Sequence, residues 1–292
     1  MRQVSGAGVL IEPLELERLL ASAEPPAVLD VRWKLGDPDG RLHYEAGHVP
    51  AAVYVDLDTE LAAPPSKAGG RHPLPEPSDL ERAARGWGLN DDQTVVVYDD
   101  NGGLSAARAW WLLRWAGVED VRILNGSWAA WVKSGLPVEQ GQSPARSGAV
   151  SLDVGHLAVL GADAAAELAH EGVLLDARAQ ERYLGEHEPV DPRAGHIPGA
   201  LNAPTSESLD ASGRFLTAAE LRARFAELGV DGSVPVGAYC GSGVTAAHLI
   251  ATLEIAGIDA ALFPGSWSAW SADPKRPVAI GALAAGVPEP IT

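Results

Sequence analysis

Short, wholly apolar runs alternate along this chain with longer stretches whose apolar residues recur at helical spacing. Thr94-Val-Val-Val-Tyr98 predicts a buried strand, and residues 105–115, where Trp110, Trp111 and Trp115 share a helical period, predict the helix after it. Pro235-Val-Gly-Ala-Tyr239 and residues 244–255 repeat that pair of elements further along. Strands alternating with helices form β-α units, so the expected fold class is α/β, with mostly parallel sheets flanked by helices.

The repetition extends to individual residues. Ala27-Val-Leu-Asp30-Val-Arg32 matches Val173-Leu-Leu-Asp176-Ala-Arg178, Ala46-Gly-His48-Val-Pro50 matches Ala194-Gly-His196-Ile-Pro198, and Gly126-Ser-Trp128-Ala-Ala-Trp131 matches Gly265-Ser-Trp267-Ser-Ala-Trp270. The three offsets are 146, 148 and 139 residues, so order is kept and spacing barely drifts. A chain of 292 residues suits two domains. Residues 1–140 and 150–292 are the expected pair, separated by a Gly/Pro/Ser-containing stretch near 135–151. The repeated Asp-x-Arg pairs read as structural ion pairs, and the repeat-equivalent tryptophans as packing.

Charge narrows the function. With 22 basic and 39 acidic residues the net charge is −17, which disfavours nucleic acid as a partner. No apolar run is long enough to span a bilayer, so no membrane partner is expected. The short run Val9-Leu10-Ile11 is followed at once by Glu12, Glu15 and Glu17, which does not make a signal-peptide core. The single cysteine, Cys240, excludes an internal disulfide and Cys-rich metal sites, and a cytoplasmic location with no metal or organic cofactor is expected.

The halves differ where it matters chemically. Tyr239-Cys240-Gly-Ser-Gly-Val-Thr245 lies between a predicted strand and a predicted helix, and the matching place in the first half is Tyr98-Asp99-Asp100-Asn101-Gly102-Gly103. Gly241 and Gly243 permit a tight turn whose amides, with the helix N-terminus, form an anion nest that favours thiolate over thiol. A core cysteine needs no such setting. A cysteine phosphatase would need arginine at position 246, which is alanine. A Cys–His hydrolase stays open, since nothing in the sequence places His48, His196 or His248 relative to Cys240.

These elements together resemble the two-domain rhodanese family of sulfurtransferases, over nearly the whole chain. The resemblance implies two tandem rhodanese-like domains, the first non-catalytic with Asp99 at the cysteine position and the second catalytic through Cys240. Within the family, Cys-Gly-Ser-Gly-Val-Thr looks like the 3-mercaptopyruvate branch, whereas thiosulfate enzymes tend to carry basic residues after the cysteine. The carried-over roles are Cys240 as sulfur acceptor, the amides of Gly241, Ser242, Gly243, Val244 and Thr245 as its cradle, and Arg182 as principal substrate arginine. Arg193 is the candidate second arginine, in a segment reading Glu188-Pro189-Val190-Asp191-Pro192-Arg193 that departs from the family's Glu-Pro-Arg; the alternative is a surface charge. His48 and Asp37, or Asp39, would pair with Ser242; because Gly-His-x-Pro recurs in both halves, the histidine is alternatively a structural turn residue.

The activity so implied moves sulfur from 3-mercaptopyruvate, a small anionic donor, through a Cys240 persulfide to a thiophilic acceptor such as cyanide, a thiol or thioredoxin, releasing pyruvate. The alternatives are thiosulfate:cyanide transfer by the same route and a non-catalytic binding or redox-sensing module. From residue 147 onward 8 basic face 18 acidic residues, so an anionic donor has to be held by local groups and not by the overall field.

Overall fold

The computed structural model describes residues 8–144, 147–284 and 287–288, and the chain divides into two compact units. The first draws on Met1–Ala62, Pro75–Leu157 and Ala211–Phe215, and the second on Ala63–Leu74, Ala158–Asp210 and Leu216–Thr292. The expected halves therefore differ from the units in three short segments: 63–74 belongs with the second unit, and 150–157 and 211–215 with the first.

In the first unit, strands β1 (Leu10–Ile11), β2 (Ala27–Asp30), β3 (Val53–Tyr54), β4 (Val95–Tyr98) and β5 (Val121–Leu124) form a parallel sheet in the order β1-β5-β4-β2-β3. Helices α1 (Pro13–Leu20), α2 (Gly40–Ala46), α3 (Leu57–Glu60), α4 (Pro77–Gly86), α5 (Ala106–Trp115) and α6 (Ser127–Lys133) accompany it. The four residues of β4 are all buried, as a strand covered on both faces requires.

The second unit runs through α7 (Ala162–Glu171), β6 (Val173–Asp176), α8 (Gln180–Leu184), β7 (Leu201–Asn202), α9 (Ala218–Glu227), β8 (Val236–Tyr239), α10 (Thr245–Ile255), β9 (Ala261–Leu262) and α11 (Ser266–Ala272). Its parallel sheet has the order β7-β6-β8-β9, and β10 (Ala279–Ile280) pairs antiparallel with β11 (Val287–Pro288). The helices predicted over 105–115 and 244–255 begin one residue later than their patterns suggested.

The repeated motifs turn out to be repeated bonding. Arg32 holds Asp30 at 2.6 Å and Gly47 O at 2.6 Å, and Arg178 holds Asp176 and Gly195 O at the same distances. Both pairs are buried, where loss of either partner would strand a charge. Tyr98 and Tyr239 each accept a backbone N–H at 3.1 Å, from Val49 and Ile197. Trp131 and Trp270 each donate to a proline carbonyl at 2.8 Å, and Trp110, Trp111 and Trp267 are also fully buried.

Candidate active site

Parallel sheets place functional groups at the C-terminal ends of their strands. Cys240 follows β8 directly, and α10 begins five residues later. Its N–H donates to Ser266 Oγ at 3.1 Å, its carbonyl accepts from Trp267 N at 3.0 Å, and the Gly243 N–H donates to its Sγ at 3.1 Å. Gly243 has φ of +82°, and a Cβ there would lie 2.4 Å from Pro264 O, so both the turn and the packing demand glycine. Val244 is buried as the last residue before the helix, and Thr245 is its first.

The corresponding turn in the first unit binds itself. The Asp99 carboxylate accepts the N–H groups of Asn101, Gly103, Ser105 and Ala106 at 2.8–3.1 Å and the Ser127 hydroxyl at 2.8 Å. Ser127 and Ser266, repeat-equivalent residues with φ of 57° and 52°, both brace their loops. The first nest is thus filled by a carboxylate, while in the second a sulfur stands at the same place.

Two guanidinium groups border the cysteine loop. Measured from the position a Cβ would take on Gly241, Arg71 Nη2 lies at 3.0 Å and Arg182 Nη1 at 3.3 Å. Arg182, on the short helix α8, gives its Nε and Nη2 to Glu188 at 2.7–3.3 Å and touches Asp191 at 3.2 Å. Arg71 Nη1 pairs with the other Asp191 oxygen. Burial pushes the Glu188 carboxyl up, but bonds from Arg182 and from the Asp191 and Val190 amides outweigh it and hold the group below the usual carboxylate value. At Asp191 burial wins over the attraction of Arg71, and its carboxyl stays above its ordinary value.

Ser242, next in the loop, is met by a histidine the sequence reading did not select. His72 Nδ1 lies 2.7 Å from Ser242 Oγ, and both residues are buried. The segment that brings Arg71 and His72 here is pinned by a tight contact: Gly70 has φ of +81°, a Cβ on it would come within 2.5 Å of both Gly265 O and Ser268 Oγ, and Arg71 N donates to that hydroxyl at 3.1 Å.

His48 and Asp37 have other partners. The His48 ring stacks on Tyr44 at 4.0 Å, with Nδ1 3.0 Å from Tyr44 O; His196 stacks on Tyr183 at 3.8 Å with Nδ1 2.8 Å from Tyr183 O. The motif histidine is therefore the turn residue of each unit, and the expected pairing of His48 with Ser242 is corrected to His72. Asp37 is half-buried in the first unit, where it accepts the Asp39 N–H at 2.9 Å and faces His43 at 3.4 Å. Asp39 precedes α2 without a side-chain cap. Arg193 is corrected as well. Its guanidinium donates to the carbonyls of Trp270, Ser271, Asp273 and Arg276 at 2.7–3.1 Å, closing the C-terminal end of α11, so the second arginine at the loop is Arg71.

A signal for this segment existed. Gly70-Arg71-His72 and Gly213-Arg214-Phe215 are 143 residues apart, close to the other repeat offsets. Phe215 ring atoms lie 3.1 Å from the Cβ position of Gly103, in the first unit's loop. These two segments are thus repeat counterparts, and one copy carries histidine where the other carries phenylalanine, the same asymmetry as Cys240 against Asp99.

A concavity of about 300 Å³ in the first unit, walled by Leu20, Pro26, Val28, Pro50 and Trp87, has no titratable side chain on its lining. Among the described residues no group of three or more His, Cys, Asp or Glu is placed to hold a metal, and no helix is long and apolar enough to cross a membrane.

Comparison with known proteins agrees with the duplicated plan. The family model for the rhodanese-like domain matches twice, over residues 12–134 and 161–273. A Mycobacterium tuberculosis protein provisionally named thiosulfate sulfurtransferase SseB is 46% identical over 94% of this chain and 97% of its own. A Pseudomonas aeruginosa protein provisionally named 3-mercaptopyruvate sulfurtransferase is 46% identical over 92% of this chain and 98% of its own. The crystal structure of SseA from Escherichia coli, described as a 3-mercaptopyruvate sulfotransferase with the rhodanese fold, superposes with a TM-score of 0.78 at 32% identity, covering 90% of this chain and all of that one.

Proposed function

This chain belongs to the rhodanese family of sulfurtransferases, and from that premise we propose that it takes sulfur from 3-mercaptopyruvate onto Cys240 and passes it to a thiophilic acceptor. The Cys240 thiolate attacks the donor sulfur, the donor C–S bond breaks, and its electron pair leaves as the enolate of pyruvate. Protonation of that enolate gives pyruvate, and Cys240 is left as a persulfide. Cyanide in the test tube, or a thiol or thioredoxin in the cell, then removes the outer sulfur and restores the thiolate, a two-step covalent cycle. The lone cysteine supports a reducing, cytoplasmic setting.

The observation that carries the donor assignment is the His72–Ser242 bond beside Cys240. An enolate leaving group has to acquire a proton, and a hydroxyl coupled to an imidazole can polarise the donor carbonyl and relay that proton. Sulfite leaving from thiosulfate needs neither service. The residues after Cys240 carry no cation, so charge for the donor carboxylate comes from Arg182 at Gly241. The two guanidiniums near the loop also suit a dianion, which keeps thiosulfate as the second reading.

The deciding experiment is kcat/KM for both donors with the same cyanide acceptor, together with mass spectrometry of the donor-treated protein. A preference for mercaptopyruvate of about a hundredfold, equivalent to about 2.7 kcal/mol, is expected, with one added sulfur on wild type and none on Cys240→Ser. Equal or better use of thiosulfate would overturn the donor assignment, and turnover by Cys240→Ser would overturn the mechanism.

A further inference from the structure

We infer that Arg71 is a donor-binding, specificity-determining residue whose Nε/Nη2 edge receives the carboxylate of the sulfur donor. The inference rests on the α-keto acid reading of the cysteine site. Four features of the structure lead to it.

Arg71 is fixed at both ends of its reach. Its backbone N–H is held by Ser268 Oγ at 3.1 Å, the preceding Gly70 is wedged against Gly265, and Nη1 is paired with Asp191. A guanidinium anchored through Nη1 directs its opposite edge, Nε with Nη2, away from that partner. In this protein the edge points to the cysteine loop, with Nη2 3.0 Å from the Cβ position of Gly241. Nε is buried and has no hydrogen-bond partner among the described residues. A buried N–H of a charged group without an acceptor is costly, and a planar oxyanion on that edge would satisfy it bidentately.

Arg182 cannot play this part in the same way. Its own Nε and Nη2 are both committed to Glu188, so that it presents Nη1 to Gly241 as a single point of charge. The two arginines thus divide the work: Arg182 adds charge beside the loop, and Arg71 supplies the geometry that tells a carboxylate from a neutral group. Position 190, between Pro189 and Asp191, is valine and brings no cation of its own. Asp191 spans the two guanidiniums, one oxygen to each, and is their positioning residue. A Cβ on Gly241 would crowd the space into which both arginines reach, lying 3.0 Å from Arg71 Nη2 and 3.3 Å from Arg182 Nη1.

The test compares wild type with Arg71→Gln and Arg71→Lys on two donors that differ only in the carboxylate, 3-mercaptopyruvate and mercaptoacetone. It also measures equilibrium binding of pyruvate, which needs no sulfur chemistry. Arg71→Gln should raise KM for mercaptopyruvate tenfold or more with kcat within about threefold of wild type, leave mercaptoacetone kinetics within twofold, and weaken pyruvate binding in parallel. Arg71→Lys should recover only part of the loss, because an ammonium restores charge without the fork. Thermal midpoints of the variants separate unfolding from loss of recognition. Unchanged KM and pyruvate affinity, or equal losses on both donors in a folded variant, would overturn the role of Arg71 and leave the donor reading standing. Pyruvate binding that depends on Arg71 without persulfide formation from mercaptopyruvate would overturn the donor reading and leave Arg71 in place.

Discussion

His72 Nδ1 lies 2.7 Å from the hydroxyl oxygen of Ser242, joining two residues 170 positions apart in the chain. If the pair acts as one unit on the donor carbonyl, its members are not additive. Ser242→Ala and His72→Asn should each lower kcat with mercaptopyruvate by about 10–100-fold, and the double variant should be no worse than the poorer single one. Thiosulfate turnover, which needs no proton at the leaving group, should fall much less. A double-mutant cycle on kcat with both donors checks this.

Asp99 predicts a stability effect. Its carboxylate accepts five hydrogen bonds at the start of α5, whose N-terminal dipole favours negative charge there. In Asp99→Ala the donors lose their acceptor in a fully buried setting, at a cost of about 2–4 kcal/mol. Urea unfolding should show the loss, and Asp99→Asn, which keeps one oxygen but turns donors toward donors, should fall between alanine and wild type or near alanine.

Variants of Arg193 and Arg182 should separate a structural from a functional arginine. Arg193→Met removes donors from four carbonyls at the end of α11 and should lower stability by about 1–3 kcal/mol while kcat/KM of the folded enzyme changes less than threefold. Arg182→Lys keeps a cation but loses the fork on Glu188, and should raise KM for the anionic donor severalfold at modest stability cost. Paired unfolding and steady-state measurements distinguish the two.

His196 sets a pH dependence. Burial lowers its pKa below the ordinary histidine value, against the bonds to Tyr183 O and Ala284 O, which favour the proton. The unfolded chain therefore takes up a proton near pH 6.5 while the folded protein still resists, and the contribution of this residue is present above that pH and lost as pH falls through the lower, folded value. Unfolding free energy should decline from pH 7 to pH 5. In His196→Gln, less stable at pH 7 because the stack on Tyr183 is gone, the decline over the same range should be shallower.

Local pattern was enough to place Cys240 between a strand and a helix. The strand before Cys240 and the helix after it are short-range consequences of an apolar run and a helical period, and the glycines of the turn are dictated by backbone geometry at Gly243, so both are written in adjacent residues. Arg182 was picked out by the family resemblance alone, and the structure brings it to the loop at Gly241. Arg193 was misassigned because an arginine near the right place in sequence says nothing about which carbonyls lie within its reach. His48 was misassigned because a repeated Gly-His-x-Pro carries a turn in both copies, and the stacking on tyrosine that reveals this role is a matter of distance in space. The residues that complete the site, Arg71 and His72, lie in a segment with no periodicity of its own. Their place is fixed by what Gly70 can approach and by Asp191 and Ser242, 120 and 170 residues away. The sequence by itself determined the duplicated α/β plan, the place of Cys240 and the turn that presents it, because each rests on contacts between near neighbours. Which arginine and which histidine meet the cysteine loop was decided by tertiary structure alone, because side-chain hydrogen bonds and ion pairs act over a few ångströms and take no account of distance along the chain.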